Sequence, residues 1–490
     1  MQVSKILPTR IVDANAEYRG VPAKILMANA GRAAAREILR KFGKPKKAQI
    51  FCGGGGNGGD GFVVAAELLN INPRDFSGEV EVILAVPESQ IRSAAARYHF
   101  KKITSLTPQL TGGLTERLTL AIHKYSPNIN FDGDILIDAL LGVGAAGKLK
   151  SPFDAIVRRL RNARGKLVSL DVPTGNLKPD LVVAFHSSKN SRNEVACPER
   201  AKRIEVVVPI GIPKIAETHF GPGDAEFYFP RRAENSRKGK NGRVIVIGGS
   251  AEFVGAPLFA ATGALASGVD LVDLFVPAVN FAAARKFSPN FLVKKFRGNP
   301  EFLTSEAAAE ILKFAEKTNA AIVVGCGLGR NSETAEAVRL LARKSRQPLV
   351  FDADALLPDL PKFISKKVVL TPHARELERL GGNAKLLAKN LNAVILKKGR
   401  VDEIISPDGR VRWNDSGDPI LTAGGTGDTL AGVVGGLLAR GIEPFEAAGI
   451  AAFLIGLAGE RLAVKSESIT PQMLAKKIPS IIHEILTKKS

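Results

Sequence analysis

The 490-residue chain has little of what several protein classes require. Its only cysteines are Cys52, Cys197 and Cys326, which are too few and too widely spaced for a disulfide framework or a zinc site. No apolar run reaches the roughly 18 residues that a transmembrane helix needs. The first residues lack an apolar segment followed by a small-residue cleavage site, so we expect no signal peptide. These absences favour a protein of the reducing cytoplasm with no membrane span.

Aromatic residues are also scarce, at 6% of the chain, and none is interleaved with a basic cluster. Single-stranded nucleic acids are bound on aromatic stacking platforms beside basic residues, and that arrangement is missing here. The net charge is nevertheless +21, because 69 Lys and Arg outnumber 48 Asp and Glu. We interpret this charge as a solvated surface that attracts small anions, with a dedicated RNA-binding role as the alternative, and we expect no nucleic-acid partner.

What the chain does contain is a repeated alternation of apolar strands and helices, which predicts α/β domains with mostly parallel sheets. The alternation breaks over residues 221–241, which are rich in Gly, Pro, Arg and Lys. We therefore predict one domain over 1–225, a linker over 226–240 and a second domain over 241–490. Strands are predicted at 48–52, 79–86, 134–140, 166–171, 180–185, 204–208, 243–247, 271–276, 321–324, 349–352, 368–371 and 394–397, with helices including 60–69, 153–161 and 255–268.

The most informative motif is T-A-G-G-T-G-D-T-L-A-G, residues 422–432. A glycine-rich turn leads directly into a helix, whose free N–H groups and dipole attract anions. A carboxylate would oppose a bound phosphate, so Asp428 in the first turn indicates a base that takes a proton while a phosphoryl group moves nearby. The alternative is an ordinary glycine-rich turn with an N-terminal aspartate.

In the first half, C-G-G-G-G-N-G-G-D-G, residues 52–61, lies between a predicted strand and a helix. Gly53, Gly55 and Gly58 formally satisfy a dinucleotide fingerprint, with Glu88 as its acidic residue. Any dense glycine run produces that match, and Asn57 fits it badly. The alternative is a phosphate- or cation-binding loop in which the Asn57 amide supplies an oxygen.

Two further predicted strands of this half end on aspartates. Asp138 is followed by the loop 142–148, and Asp171 is followed by V-P-T-G. Because parallel strands present their carboxyl ends at one edge of a sheet, these residues predict a ligand site there rather than two helix caps. Oxygen atoms of Asn57, Asp138 and Thr174 would suit a hard cation.

The second half has comparable strand ends. G-C-G-L-G starts at Gly325, D-A-D-A-L starts at Asp352, T-P-H ends at His373, and K-K-G ends at Gly399. A single histidine after a strand is more often a packed or capping residue than a catalyst. The polar residues at the neighbouring strand ends favour a functional role for His373.

The N-G-G-D-G, D-A-L-L-G-V-G and D-V-P-T-G motifs, with the opening N-A-E-Y and L-M-x-N-A-G, resemble the NAD(P)H-hydrate epimerase domain, a Rossmann-like three-layer sandwich, over residues 1–225. The resemblance implies potassium at Asn57, Asp138 and Thr174. It implies that the hydrated nucleotide is bound by Gly56, Asn57, Gly58, Gly59, Asp60, Gly142, Val143, Gly144, Ala145, Ala146, Gly147, Lys148 and Asp171. The departures from the usual family pattern are Gly56 for Asn, Ala28 for Glu and Thr174 for Ser.

The motifs K-G-K-N-G-R, G-C-G-L-G, D-A-D-A-L, T-P-H-A-R-E and T-A-G-G-T-G-D-T-L-A-G resemble the NAD(P)H-hydrate dehydratase branch of the ribokinase-like fold, over residues 235–490. The resemblance implies that Asp428 is the base. It implies substrate contacts at Ala256, Gly327, His373 and Asp428, and nucleotide contacts at Lys398, Gly399, Arg400, Val401, Asp402 and Gly427. Departures are Cys326 for Pro, Arg375 for Gly and Asp402 for Thr.

Together the two resemblances imply repair of hydrated NADH or NADPH, with epimerisation by the first domain and ADP- or ATP-dependent dehydration by the second. The expected cofactors are K⁺ in the first domain and Mg²⁺ with ADP or ATP in the second, and we expect a homo-oligomer with small-molecule partners. The alternatives are a dehydratase with a non-catalytic first domain, a small-molecule kinase of the ribokinase-like fold, and a basic RNA-associated scaffold. The intact G-T-G-D motif disfavours the scaffold.

Overall fold

A computed structural model describes residues 7–70, 78–106, 118–144, 147–188, 204–363 and 365–487. The chain folds into two compact units. One, the middle unit, consists of Ala16–Pro213, and the other, the large unit, consists of Lys214–Lys489 together with Met1–Asn15. Each is an α/β structure, as predicted. Within the described ranges, no helix has the length and apolar character needed to cross a bilayer.

The middle unit is built on a parallel seven-stranded sheet of order β3-β2-β1-β4-β5-β6-β7. Its strands are β1 Lys47–Cys52, β2 Gly78–Leu84, β3 Leu118–Lys124, β4 Ile135–Ala139, β5 Lys166–Leu170, β6 Leu181–Phe185 and β7 Glu205–Val208. Its helices are Ala23–Phe42, Gly56–Leu69, Ala94–Thr104 and Phe153–Leu160, and helix Thr9–Tyr18 runs across the division after Asn15. The order reverses between β1 and β4, so the loops after these strands diverge and leave a crevice where α/β sheets bind ligands.

The large unit contains a nine-stranded sheet of order β10-β9-β8-β11-β12-β13-β14-β15-β16. The strands are β8 Arg243–Ile247, β9 Leu271–Val276, β10 Phe291–Lys295, β11 Ala321–Val324, β12 Leu349–Phe351, β13 Val368–Leu370, β14 Val394–Lys397, β15 Asp402–Ile405 and β16 Val411–Asn414. The pairing is parallel through β14, and the β15–β16 hairpin is antiparallel. The order reverses between β8 and β11, which creates the second crevice.

Helices cover this sheet. They are Ile215–Thr218, Pro222–Tyr228, Gly255–Ala266, Phe281–Phe287, Ser305–Thr318, Ser332–Lys344, Ala374–Arg379, Ala384–Leu391, Thr426–Ala439, Pro444–Ala463 and Pro471–Thr487. The helix Thr426–Ala439 packs closely on the helix Gly255–Ala266. The distance is so short that a Cβ on Gly263 would collide with the Thr429 carbonyl oxygen. A Cβ on Gly432 would likewise collide with the Ala260 carbonyl oxygen. Glycine at these two positions therefore brings two helix backbones into contact.

Several elements differ from the predictions. The helix predicted at 60–69 begins earlier, at Gly56, so the N-G-G-D-G motif forms the first turn of a helix instead of a loop. The strands β3, β10, β15 and β16 were not predicted. Their short segments carry exposed or charged residues, which weakens the apolar signal on which strand prediction depends.

The division between the units also differs from the predicted linker at 226–240, because it falls between Pro213 and Lys214. The physical reason is that Phe220 and Phe229 are buried in the core of the large unit. Asp224, which is fully buried, pairs with Arg412 at 2.6 and 3.0 Å. Asn15 donates to the same carboxylate at 3.0 Å, which fastens the N-terminal segment to the large unit.

This network gives a stability prediction. Asp224→Ala leaves the Arg412 guanidinium buried without a carboxylate, so we expect the large unit to lose about 3–5 kcal/mol of unfolding free energy. Adding Arg412→Leu removes the unpaired charge and should recover part of the loss. The control is Glu226→Ala, whose partner Arg10 is 67% exposed and whose loss should cost less than about 1 kcal/mol. Chemical denaturation of the three variants measures this, and equal losses for Asp224→Ala and Glu226→Ala would contradict it.

Candidate active sites

Asp428 lies in the first turn of the helix Thr426–Ala439. The residue before this helix, Gly425, has a φ of 91°, a left-handed conformation that glycine adopts without strain. A Cβ at Gly425 would also collide with the Phe259 ring. The glycine-rich turn thus points the helix N-terminus, with its free N–H groups, at the carboxyl ends of the central strands.

Three of those strands deliver polar side chains to one point. Asp352 follows β12, Thr371 follows β13 and Lys398 follows β14. The Asp352 Oδ1 accepts a hydrogen bond from Thr371 Oγ1 at 2.7 Å and another from Lys398 Nζ at 2.9 Å. A Cβ on Gly427 would lie 3.5 Å from Lys398 Nζ, so the ammonium also borders the helix that carries Asp428.

The surroundings of Asp428 shift its pKa strongly. Burial, with a further contribution from the negative charge of Asp352, raises the pKa of Asp428 to about 7. The neighbouring Cys326 side chain and the charge of Lys398 oppose the increase in pKa. Burial opposes the charge of Lys398, but Asp352 and Glu376 raise its pKa overall, so the ammonium stays protonated. A carboxyl that titrates near neutral pH can both accept and return a proton.

The predicted substrate residues fall into two groups. A Cβ on Gly327 would lie 3.2 Å from Ala256 Cβ, so these two positions share one wall. His373 caps the helix Ala374–Arg379, where its Nδ1 accepts from Glu376 N at 3.3 Å. Its side chain is 50% exposed, so a ligand can reach it. Lys398 N donates to Pro372 O at 2.8 Å, which places the segment of His373 beside residues 398–402.

The predicted nucleotide residues 398–402 form the tight connection between β14 and β15. Gly399 N donates to Asp402 Oδ1 at 3.0 Å, and Asn414 Nδ2 donates to Asp402 Oδ2 at 3.0 Å. Burial raises the pKa of Asp402. Arg400 and Val401 are exposed at the turn. Asp402 therefore holds the shape of the turn, and exposed backbone and side chains at 399–401 are left for a ligand.

In the middle unit, Asp138, Thr174 and Asn57 meet at the crevice between β1 and β4. Asp138 is fully buried and accepts from Thr174 N at 2.8 Å, Thr174 Oγ1 at 2.7 Å and Ser169 Oγ at 2.9 Å. Asn57 Nδ2 donates to Leu141 O at 3.0 Å, which orients the amide. Among the described residues, no donor reaches the buried Asn57 Oδ1.

The other predicted residues of this site lie around that point. Gly58 packs against Gly53, where a Cβ would collide with the carbonyl oxygen. A Cβ on Gly142 would lie 3.9 Å from Asp171 Oδ2, and Asp171 has a φ of 61°. The remaining described positions are Gly56, Gly59, Asp60, Val143, Gly144, Gly147 and Lys148, while Ala145 and Ala146 lie outside the described residues.

Comparisons with known proteins bear on both sites. A family model described as NAD(P)H-hydrate dehydratase matches residues 244–482, and one described as YjeF-related protein N-terminus matches 23–184. The chain is similar to the bifunctional NAD(P)H-hydrate repair enzyme Nnr of Methanothermobacter thermautotrophicus, at 36% identity over 98% of this chain and 95% of that protein. It is 37% identical to the Nnr enzyme of Pyrobaculum aerophilum, over 96% of both chains. The chain belongs to the family of bifunctional NAD(P)H-hydrate repair enzymes.

Among solved structures, the chain is similar to the Bacillus subtilis ADP/ATP-dependent NAD(P)H-hydrate dehydratase co-crystallized with ATP/Mg²⁺. The identity is 25% and the TM-score is 0.48. The match covers 55% of this chain and 99% of that chain. The expected α/β fold and the family recognised from the motifs are both confirmed by the family models and the full-length relatives.

Sequence reasoning did not assign roles to Asp352, Thr371, Glu376 and Ser169. In the structure Asp352 contacts Lys398, Glu376 contacts His373 and Ser169 contacts Asp138, while Thr371 contacts Asp352. Asp352 and Thr371 are inside the quoted D-A-D-A-L and T-P-H motifs, so position at a strand end was an available signal. Ser169 lies within β5, and its contact with Asp138 depends on the register between β4 and β5. No pattern in the sequence near Ser169 predicts that contact.

The raised pKa of Asp428 predicts how stability depends on pH. The folded enzyme holds the Asp428 proton more tightly than the unfolded chain does, so ionisation costs stability as pH rises from about 4 to 7. Asp428→Asn has no proton to lose and should melt at least about 2 °C higher than the wild type at pH 8, with a smaller gain at pH 5. Thermal unfolding at both pH values measures this. Asp359→Asn, an exposed position of the same unit, is the control, and an equal gain there would refute the assignment.

Proposed function

We propose that the large unit dehydrates the S epimer of hydrated NADH or NADPH and uses ADP or ATP to do so. The observation that carries this is the Asp428 carboxyl, with a pKa of about 7, at a helix N-terminus beside Lys398. The helix N–H groups and the ammonium suit a nucleotide phosphate. We assign His373, Ala256 and Gly327 to the substrate side, as the resemblance to the dehydratase branch implies.

The chemistry is phosphoryl transfer followed by elimination. Asp428 takes the proton of the added ring hydroxyl, and the hydroxyl oxygen attacks the terminal phosphoryl group of the nucleotide. The bond to the leaving nucleotide breaks, so ADP yields AMP and ATP yields ADP. Phosphate then leaves from the ring carbon, and a proton is lost from the neighbouring carbon, which restores the ring double bond. Lys398 and the helix N–H groups stabilise negative charge during the transfer.

Mg²⁺ would be bound together with the nucleotide, because this ion binds phosphate oxygens and retains several waters. The structure supports a site for anionic phosphates through Lys398 and the helix N-terminus. We assign Arg400, which is exposed at the turn after β14, to the nucleotide side. The discrimination between ADP and ATP depends on contacts with the bound nucleotide.

Loss of the base gives the first functional prediction. Asp428→Asn keeps the shape of the side chain but cannot accept the proton, so we expect the dehydration rate to fall about 10²–10⁴-fold. In the wild type, kcat/KM should rise with pH through about 7, because only the ionised carboxylate is active. Recovery of NADH absorbance from the purified S hydrate with ADP or ATP measures both. A variant with more than a tenth of wild-type turnover would refute the role of Asp428.

We further propose that the middle unit interconverts the R and S hydrates and holds K⁺ at Asn57, Asp138 and Thr174. Two observations support the cation. Asn57 Oδ1 is buried without a donor among the described residues, and no basic side chain of the described chain pairs with the buried Asp138. Burial raises the pKa of Asp138, and a bound cation would instead favour its ionised form. These oxygen atoms fit K⁺, which would supply positive charge beside the substrate loops.

The second functional prediction concerns the loss of the negative charge of Asp138. Asp138→Asn retains the size of the side chain, so we expect it to abolish the dependence of R-to-S conversion on K⁺ and to slow that conversion. Dehydration of the S epimer by the large unit should be unchanged. Conversion is measured chromatographically with KCl and with choline chloride. If the wild-type chain converts the R epimer no faster than it converts spontaneously, the middle unit is a non-catalytic domain.

The two activities suit one chain, because the dehydratase uses one epimer and the epimerase supplies it from the other. We propose that the enzyme works on small molecules in the cytoplasm, where NADH and NADPH are hydrated, and that it forms a homo-oligomer. The two cysteines that the structure describes are free and buried, which is compatible with a reducing compartment.

A further inference from the structure

Cys326 lies in the turn after β11, beside the proposed base. Its neighbours Gly325 and Gly327 have φ values of 127° and 66°, so the turn is tight on both sides. Gly249 N donates to the Cys326 carbonyl oxygen at 3.0 Å, which fixes the backbone. The side chain is fully buried, and its Sγ lies within 4.8 Å of carboxylate oxygens of Asp352 and Asp428. A thiol therefore borders both acids of the active site.

The titratable groups that face Asp428 come from three strand ends. Asp352 and Asp354 follow β12, Lys398 follows β14, and Cys326 follows β11. Lys398 is already held by Asp352 at 2.9 Å. Asp354 is held by Arg330 at 3.2 Å and by Gly329 N at 3.1 Å.

Because these neighbours are already paired, the Cys326 thiol is the group best placed to donate a hydrogen bond to Asp428. The Oδ1 of Asp352 already accepts from Thr371 and Lys398, so that atom has less capacity for another donor. Burial raises the pKa of the Cys326 thiol well above its usual range, and the two carboxylates add to the increase. The sulfur therefore keeps its proton throughout the pH range of catalysis and can act as a donor.

We propose that Cys326 is a positioning residue, whose S–H group donates a hydrogen bond to the Asp428 carboxylate and thereby holds it ionised and oriented for proton abstraction. The inference rests on the proposed role of Asp428 as the base. A neutral donor stabilises the carboxylate against the repulsion of Asp352 without adding charge to the phosphoryl site. It also restricts rotation of the carboxylate, whose accepting oxygen must face the ring hydroxyl.

The first experiment is the pH profile of dehydration by the full-length enzyme, with the S hydrate and saturating ADP or ATP. Cys326→Ala removes the donor, so the ascending limb of kcat/KM should move up by about 0.5–1 pH unit. Cys326→Ser retains a donor and should return the limb towards the wild-type position. Cys52→Ala, a substitution of a fully buried cysteine in the middle unit, is the control and should not move it. An unmoved limb in Cys326→Ala, or an equal shift in Cys326→Ser, overturns the proposal.

The second experiment observes the contact itself and needs no turnover. The S–H stretching band of Cys326, identified by its loss in Cys326→Ala, should shift to higher wavenumber in Asp428→Asn, because the amide oxygen is a weaker acceptor than the carboxylate. An unshifted band overturns the proposed contact. Retention of more than a tenth of the activity by Asp428→Asn would instead overturn the role of Asp428, so the failures of the two proposals are distinguishable.

Discussion

The close approach of helix backbone to the ends of parallel strands is the constraint on which both sites depend. In the large unit, Gly263 and Gly432 let two helices touch, which seats the N-terminus of Thr426–Ala439 at the strand ends. In the middle unit, Gly53 and Gly58 allow the helix after β1 to start almost on the strand. Any side chain at these positions would push the helix outward and withdraw its N–H groups from the strand ends.

The close approach brings negative charges together in the large unit, where they are only partly neutralised. Asp428 and Asp352 lie close together in a poorly solvated place, and a single ammonium, Lys398, is engaged mainly with Asp352. The result is a carboxyl with a pKa of about 7 that costs stability when it ionises. This pKa favours the proposed role of Asp428, because a base must take the hydroxyl proton and release it near neutral pH. In this proposal, the ionised carboxylate that catalysis requires is also the form that lowers the stability of the fold.

The middle unit uses the same architecture with a different charge balance. Asp138 has a shell of neutral donors from Thr174 and Ser169 and lacks an ammonium partner among the described residues. Asp352, by contrast, is paired with the ammonium of Lys398 at 2.9 Å. Within the described residues, the two buried carboxylates therefore differ in whether the chain itself supplies the balancing positive charge.

The sequence by itself determined the α/β class, the family and most strands of the two sheets, because buried parallel strands are continuous apolar runs and the glycine-rich motifs have fixed spacing. It also located Asp428, Asp138 and Asn57 through their positions beside those runs. Only the tertiary structure decided that residues 214–229 pack with the large unit, because burial of Phe220 and pairing of Asp224 with Arg412 join segments about 190 residues apart. The pKa of Asp428 was likewise beyond sequence reasoning, since it depends on distances among side chains from separate strands, which periodicity does not encode.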